Sequence, residues 1–386
     1  MNSSRRNFLV AGIGVPAIAS ASRSAILEPQ AAKRASDIKF EYRTLGKTGL
    51  KVTSVGFGCM VTSDGSVVER GADMGITYFD TARSYGGGNN ERMVGAALKG
   101  KRNGVTLSSK THAATKQDAL NDLDISLKLL DTDHLDIWYL HAKSKPEEVT
   151  DELIDAQQTA KKAGKIRFAG VSTHLGQPVL VPWLAANPNV DVILSAYNFT
   201  LEPAVTTALE QAAAAGKGIV AMKVMAGGFR SIKPDNPAYA KLKQPGALLA
   251  ALKWAMRDPK VVHTTIPSIT DNDQLEENLT AMQKAFAPDD AKLLAEHLEL
   301  IRPLYCRTCG QCEGDCRQGL PVADMLRILT YADGYGQFGL GRERFLELAP
   351  EHTSVKCADC PSCTVQCPHG VRVFERLSRA QELFVV

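Results

Sequence analysis

Between Lys51 and Ile269 the chain repeats one pattern eight times: a short apolar run, then a longer stretch with helical spacing. The runs are Lys51–Cys59, Ile76–Thr81, Val105–Lys110, Leu135–His141, Arg167–Ser172, Val190–Tyr197, Gly218–Met225 and Val262–Ile269. Each is short and rich in β-branched residues, as expected of parallel strands covered on both faces. In the stretches between them, Leu120, Leu123, Leu127 and Leu130 mark one apolar helix face. Gly164 and Gly216 sit where helices should stop, and Pro203 where one should start. Eight such units predict a (β/α)8 TIM barrel over residues 39–284. A doubly wound sheet is the rival, because alternation alone does not establish closure. Beyond it, Asp289–Leu304 predicts a helix with Leu293, Leu294, Leu298 and Ile301 on one side, packing a final segment against the barrel.

Composition changes this picture at both ends. Of nine cysteines, eight lie in the last 81 residues, so residues 285–386 read as a small helical, cysteine-rich domain. At the start, Ser4-Arg5-Arg6-Asn7-Phe8-Leu9 has the twin-arginine pattern, followed by a weakly apolar run and Ala19-Ser20-Ala21. Residues 1–21 are therefore expected to be a signal peptide for periplasmic or other extracytoplasmic export, and residues 22–38 a linker. The twin-arginine route carries folded, cofactor-loaded proteins, which reconciles export with so many cysteines. The remaining composition excludes other classes. A net charge of +3 from 45 bases and 42 acids gives no basic field for nucleic acid. No apolar run reaches the roughly 18 residues of a membrane span.

The cysteine spacing carries chemistry of its own. Cys306-x2-Cys309-x2-Cys312-x3-Cys316 recurs as Cys357-x2-Cys360-x2-Cys363-x3-Cys367-Pro368. The second copy is the full bacterial ferredoxin run, and the first lacks only the proline, having Arg317. Zinc ribbons instead use two separated C-x-x-C knuckles. Two [4Fe–4S] clusters are the expected occupants. By analogy with two-cluster ferredoxins, Cys306, Cys309 and Cys312 would share one cubane with Cys367, and Cys357, Cys360 and Cys363 the other with Cys316.

Inside the barrel, Phe79-Asp80-Thr81-Ala82-Arg83-Ser84-Tyr85-Gly86, Ser109-Lys110-Thr111 and Leu135-Asp136-Ile137-Trp138-Tyr139-Leu140-His141 are similar to aldo-keto reductase segments. The opening Tyr42-Arg43-Thr44-Leu45-Gly46 is also typical, and the resemblance covers roughly residues 40–280. The cysteine-rich extension resembles that of an iron–sulfur branch of the superfamily. The resemblance implies an oxidoreductase that interconverts a carbonyl and an alcohol with NAD or NADP, using Asp80, Tyr85, Lys110 and His141. A tyrosine hydroxyl titrates near pKa 10, and a lysine ammonium beside it is expected to lower that value. Ser172, Gln274, Glu277 and Asn278 match cofactor-binding positions. Around them the pattern departs: Thr173 replaces an Asn, Leu194 a Gln and Met222 a stacking Tyr. Asp271 and Asp273 stand where a base usually meets the 2′-phosphate, which puts NADP preference in doubt. Glu91 falls two residues late, after Gly86-Gly87-Gly88. The clusters imply a redox partner. The competing function is an exported electron-transfer or binding protein whose barrel is catalytically idle.

Two further features have plainer readings. Gly334-Tyr335-Gly336-Gln337-Phe338-Gly339 is a literal G-x-G-x-x-G, but it follows a helix and reads as a linker rather than a dinucleotide loop. Cys59, at the end of the first run, reads as a small packed residue.

Overall fold

The computed structural model describes residues 38–384, except 230, 231, 233, 235–237, 243 and 244. The signal-peptide reading and almost all of the linker fall on residues outside this range.

The first elements form a plug. An antiparallel hairpin of β1 (Tyr42–Thr44) and β2 (Lys51–Thr53) contributes Leu45, Leu50 and Val52 to the apolar barrel interior. Gly46, at φ +53°, lies against the backbone of Lys217–Gly218, an approach that leaves no room for a side chain. Eight parallel strands follow: β3 (Phe57–Gly58), β4 (Tyr78–Asp80), β5 (Thr106–Thr111), β6 (Leu135–Leu140), β7 (Ile166–Thr173), β8 (Val192–Ala196), β9 (Gly218–Met222) and β10 (Thr264–Thr265). They hydrogen-bond in chain order. Parallel bridges Val55–Thr265 and Gly58–Ser268 bring the last strand back to the first. That contact favours the barrel over the doubly wound alternative.

The expected runs are right in place and mostly too generous in length, although Arg167–Ser172 falls one residue short of β7 at each end. Lys51–Cys59 is two strands, one in the hairpin and one in the barrel. Gly218–Met225 stops at Met222, since Lys223 and Ala226 adopt positive φ. Val262–Ile269 shrinks to two residues, because Pro267 has no N–H to continue a ladder.

Around the strands lie α1 (Gly65–Met74), α2 (Asn89–Ala97), α3 (Lys116–Leu130), α4 (Asp151–Lys162), α5 (Gln177–Ala186), α6 (Pro203–Ala214), α7 (Tyr239–Leu242), α8 (Ala247–Ala255) and α9 (Asn272–Thr280). Helix α3 shows why they form. Thr115 caps its N-terminus through the Asp118 N–H, and Leu123, Leu127 and Leu130 bury one face while Leu120 packs beside them. Truncating such a buried leucine to alanine typically costs about 2–5 kcal/mol.

The C-terminal third has its own core. Helix α10 (Pro288–Ile301) docks on α8 through Leu293 and Leu294 against Ala250 and Ala251. Then come α11 (Val322–Asp333), α12 (Phe338–Leu346), α13 (Pro350–Thr353) and α14 (Val373–Phe384), packed around Met325, Leu329, Phe345, Leu377 and Phe384. The described residues from 38 to 384 form one compact unit. The G-x-G-x-x-G stretch is the α11–α12 connection, where Gly334 rests on the Gly227 carbonyl of the loop after β9. No described helix is long and apolar enough to cross a membrane.

Candidate active site

Asp80 ends β4, Lys110 is next to last in β5, and His141 follows β6, so parallel pairing brings all three to the strands' C-terminal ends. Tyr85 stands just beyond β4. The three glycines after it adopt φ of +55°, +59° and +94°. Their turn absorbs the two extra residues and returns Glu91 to an ion pair with Arg83; Ser109 Oγ also donates to Glu91, at 2.6 Å.

Lys110 is the hub. Its ammonium donates to Asp80 Oδ2 at 2.5 Å and to the Thr81 carbonyl at 2.7 Å, and it lies 3.5 Å from the Tyr85 hydroxyl. Ser108 Oγ holds the other Asp80 oxygen at 2.7 Å. Lys110 and Asp80 are almost fully buried. Burial raises the Asp80 carboxyl pKa, opposed by the Lys110 ammonium and the Ser108 hydrogen bond. Removing either partner would strand a buried charge, a change that typically costs about 3–5 kcal/mol.

Tyr85 departs from the expectation that lysine lowers its pKa. Burial first, then the Asp80 carboxylate, push the phenol well above its ordinary value. The hydroxyl is therefore a proton donor at rest, and Lys110 is placed to stabilise the tyrosinate left after the proton has gone. His141 meets the Tyr85 ring edge-on, with centroids 5.9 Å apart, and stacks on His112 at 4.0 Å. Burial and surrounding cations drive its pKa well below 6.5, so the imidazole is neutral, and its Nδ1 has no hydrogen-bond partner. From these directions, kcat/KM for carbonyl reduction is expected to be flat from about pH 7 to 9. The Tyr85 acid form persists below its raised pKa, and the neutral His141 persists above its lowered one. A limb titrating near neutrality in the pH–rate profile would contradict this.

A cavity of about 610 Å³ opens above these residues. It runs from Tyr85 and His141 past Met222 and Lys223 to Ser268, Thr270 and Gln274. The four expected cofactor positions divide. Gln274 reaches the cavity, with its side chain folded back on Thr270 and Asp271. Asn278 is buried nearby on α9 with both amide atoms unpartnered, which suits a ligand's hydrogen-bonding edge. Glu277 is half-buried on the same helix. Ser172 is fully buried, and its Oγ accepts the Ala142 N–H at 2.8 Å rather than lining the cavity. Cys59 is buried beneath, and burial raises its thiol pKa, so it stays protonated and inert.

Comparisons with known proteins show what this barrel is similar to. The Aldo/keto reductase family pattern matches residues 65–248. L-galactose dehydrogenase of Arabidopsis thaliana is 27% identical over 307 residues, 69% of this chain and 96% of that protein. The apo form of an aldo-keto reductase from Bacillus halodurans superposes with a TM-score of 0.52 at 28% identity, over 67% of this chain and 96% of that one. A Klebsiella pneumoniae aldo/keto reductase solved with NADP and acetate gives 0.55 at 22% identity, over 66% and 94%. The barrel has the aldo-keto reductase fold. Nearly all of each solved chain is used in these matches, so about a third of the present chain is additional to them.

Helices α11 and α12 of the C-terminal segment roof the cavity, which the sequence did not reveal. Arg327, Tyr331 and Tyr335, from α11 and the turn after it, face the cavity beside Arg344 of α12. Arg344 also donates to the Ser84 carbonyl at 3.1 Å, next to Tyr85. His112, Lys143, His174 and Lys223 of the barrel were likewise missed. Spacing of i, i+4 and i+8 for Arg327, Tyr331 and Tyr335 was the available signal, but it resembled a solvated face until a partner surface was known.

The eight C-terminal cysteines are all free thiols. They gather in two groups that exchange their fourth members. Burial pushes Cys306 up to about 12, and Cys312, Cys309 and Cys367 are the thiols that add to the shift. Burial likewise pushes Cys357 to about 11, with Cys316, Cys360 and Cys363 adding to it. A small void of about 20 Å³ lies among Cys316, Cys357, Cys360 and Cys363. Cys309 also approaches Glu202 and His369, with one donor atom of each within 4.8 Å of the others. Such a mixed set of three donors suits a single ion such as zinc.

Proposed function

We propose that this protein is an NAD(P)-linked oxidoreductase of the aldo-keto reductase type, interconverting a carbonyl and an alcohol above Tyr85. The observation that carries the reading is the Lys110 ammonium set between the Asp80 carboxylate and the Tyr85 hydroxyl, beneath a cavity that Asp80, Tyr85 and His141 line. In the reducing direction Tyr85 gives its proton to the carbonyl oxygen. His141, neutral, hydrogen-bonds the same oxygen and fixes its position. Lys110 stabilises the tyrosinate, and Asp80 holds Lys110 in place. When bound, a nicotinamide dinucleotide would supply the hydride that completes the alcohol. Asn278 and Gln274 would hold its adenosine end, next to Asp271 and Asp273.

Those two carboxylates disfavour a 2′-phosphate. NADH is expected to bind roughly tenfold more tightly than NADPH. Titration of both dinucleotides into the isolated protein checks this, and Asp273→Lys should narrow the gap.

The thiol groups also fit two [4Fe–4S] clusters, held by Cys306, Cys309, Cys312 and Cys367, and by Cys357, Cys360, Cys363 and Cys316. When bound, clusters supply one-electron transfer, which joins the pocket to a redox partner. The competing single ion would need Cys309 for itself, so metal content separates the two occupants. Export by the twin-arginine route completes the proposal: cofactors are loaded before transport, and the dinucleotide is retained and recycled in place. Measurement of iron, sulfide, zinc and released dinucleotide in anaerobically purified protein tests it. Stoichiometric zinc without iron would remove the cluster half of the reading.

A further inference from the structure

The roof of the pocket is built asymmetrically in charge. Asp324, Arg327, Ile328, Tyr331 and Tyr335 recur at helical spacing, so α11 and the turn after it present one side to the cavity. The opposite side, with Met325, Leu326 and Leu329, is locked into the C-terminal core. Arg327 donates to Asp324 at 2.9 Å and to the Tyr331 hydroxyl at 2.9 Å. Arg344, on α12, pairs with Glu347 at 2.7 Å.

Asp324 and Glu347 line the cavity too, but in both pairs the cation is the more buried member. Side-chain exposure is 28% for Arg327 against 54% for Asp324, and 23% for Arg344 against 51% for Glu347. Two barrel lysines add to the field. Lys223 stands 5.3 Å and 5.6 Å from the ring centres of Tyr331 and Tyr335. Lys143 lines the same cavity. Neither is hydrogen-bonded to a carboxylate among the described residues. The surrounding groups register the excess. Burial opposes ionisation of Tyr331, yet Lys223, Arg327 and Arg344 hold its pKa below the ordinary value. Burial and then the cations Arg344, Lys143, Lys110 and Arg327 lower the His112 pKa, and burial with Lys223, Arg327 and Lys110 does the same at His174.

We infer that Arg327 and Arg344 form an anion subsite over Tyr85, so that the preferred substrate is a carbonyl compound carrying a carboxylate or phosphate group. The inference rests on the carbonyl-reducing role proposed for the barrel and names its substrate class. An anionic tail would meet the two guanidinium groups and the Tyr331 hydroxyl, leaving the carbonyl end for Tyr85 and His141. Both arginines come from α11 and α12 rather than from the barrel strands, so the preference belongs to the roof rather than to the catalytic floor.

The test compares matched substrates on the full-length protein: a 2-oxo acid against its amide, and a phosphorylated hydroxyaldehyde against the unphosphorylated one. Arg327→Met and Arg344→Met should each lower the anionic-to-neutral ratio of kcat/KM by roughly 10- to 100-fold, the range for losing a charge-assisted hydrogen bond. Arg327→Lys should recover part of it. The two pairs of substrates tell carboxylate from phosphate. An unchanged ratio in both variants overturns the inference. So does a rise of tenfold or more in dinucleotide Kd without a change in ratio, which would assign the cations to the cofactor's own phosphates. If wild-type protein reduces neutral and anionic members equally, the subsite fails while the carbonyl chemistry stands. If it reduces none, the underlying function fails first.

Discussion

Replacing Tyr85 by phenylalanine is expected to lower carbonyl turnover by roughly 10²- to 10⁴-fold, the usual contribution of a positioned general acid. Dinucleotide affinity should be nearly unchanged, because only the hydroxyl is lost and the ring still packs edge-on against His141. The size of the effect follows from burial. The phenol is held protonated at the cavity floor, 3.5 Å from the Lys110 ammonium. Steady-state kinetics beside a dinucleotide titration separate this from misfolding. Near-wild-type turnover in the variant, on any carbonyl the native protein reduces, would show that Tyr85 is a bystander.

The second large effect concerns the cysteines. Cys316→Ala should remove the cluster assigned to Cys357, Cys360 and Cys363, although Cys316 lies in the other sequence run. Anaerobic iron should fall from about eight to about four per chain. The C-terminal core should also loosen, because Cys357 is buried in it and its N–H is held by Gln381 of α14 at 2.8 Å. Where a metal group ties such a segment together, its binding energy is partly folding energy. Loss of all eight irons would mean that the groups are not independent. Retention of all eight would show that Cys316 is not a ligand.

The barrel was legible because parallel strands buried on both faces leave near-continuous apolar runs, and because Gly164 and Gly216 end their helices as local chemistry requires. Asp80, Lys110 and His141 were legible together because each sits at or next to the end of such a run, on the face where barrel sites assemble. What the sequence hid was set by tertiary contact. Lys51–Cys59 reads as one strand, since Gly56 is the lone break signal between Thr53 and Phe57 and the apolar run continues past it. The phenol's shift depends on how dry the site becomes once α11 and α12 cover it, which no spacing records. Arg327 and Arg344 look like ordinary exposed helix charges until the roof is seen to face the floor. Ser172 matches a cofactor position by residue type, and the sequence does not show that its Oγ accepts the Ala142 N–H outside the cavity lining.

The central claim is hydride transfer between a nicotinamide and a carbonyl carbon above Tyr85, and isotope transfer tests it most directly. Protein purified without oxygen would be given nicotinamide dinucleotide deuterated at the transferable position, with a panel of anionic and neutral aldehydes and ketones. The account predicts deuterium at the carbinol carbon of at least one alcohol product, formed far more slowly by Tyr85→Phe. Dinucleotide-loaded protein that transfers no deuterium to any member, while its clusters still reduce an artificial acceptor, would contradict it and leave the barrel an idle scaffold.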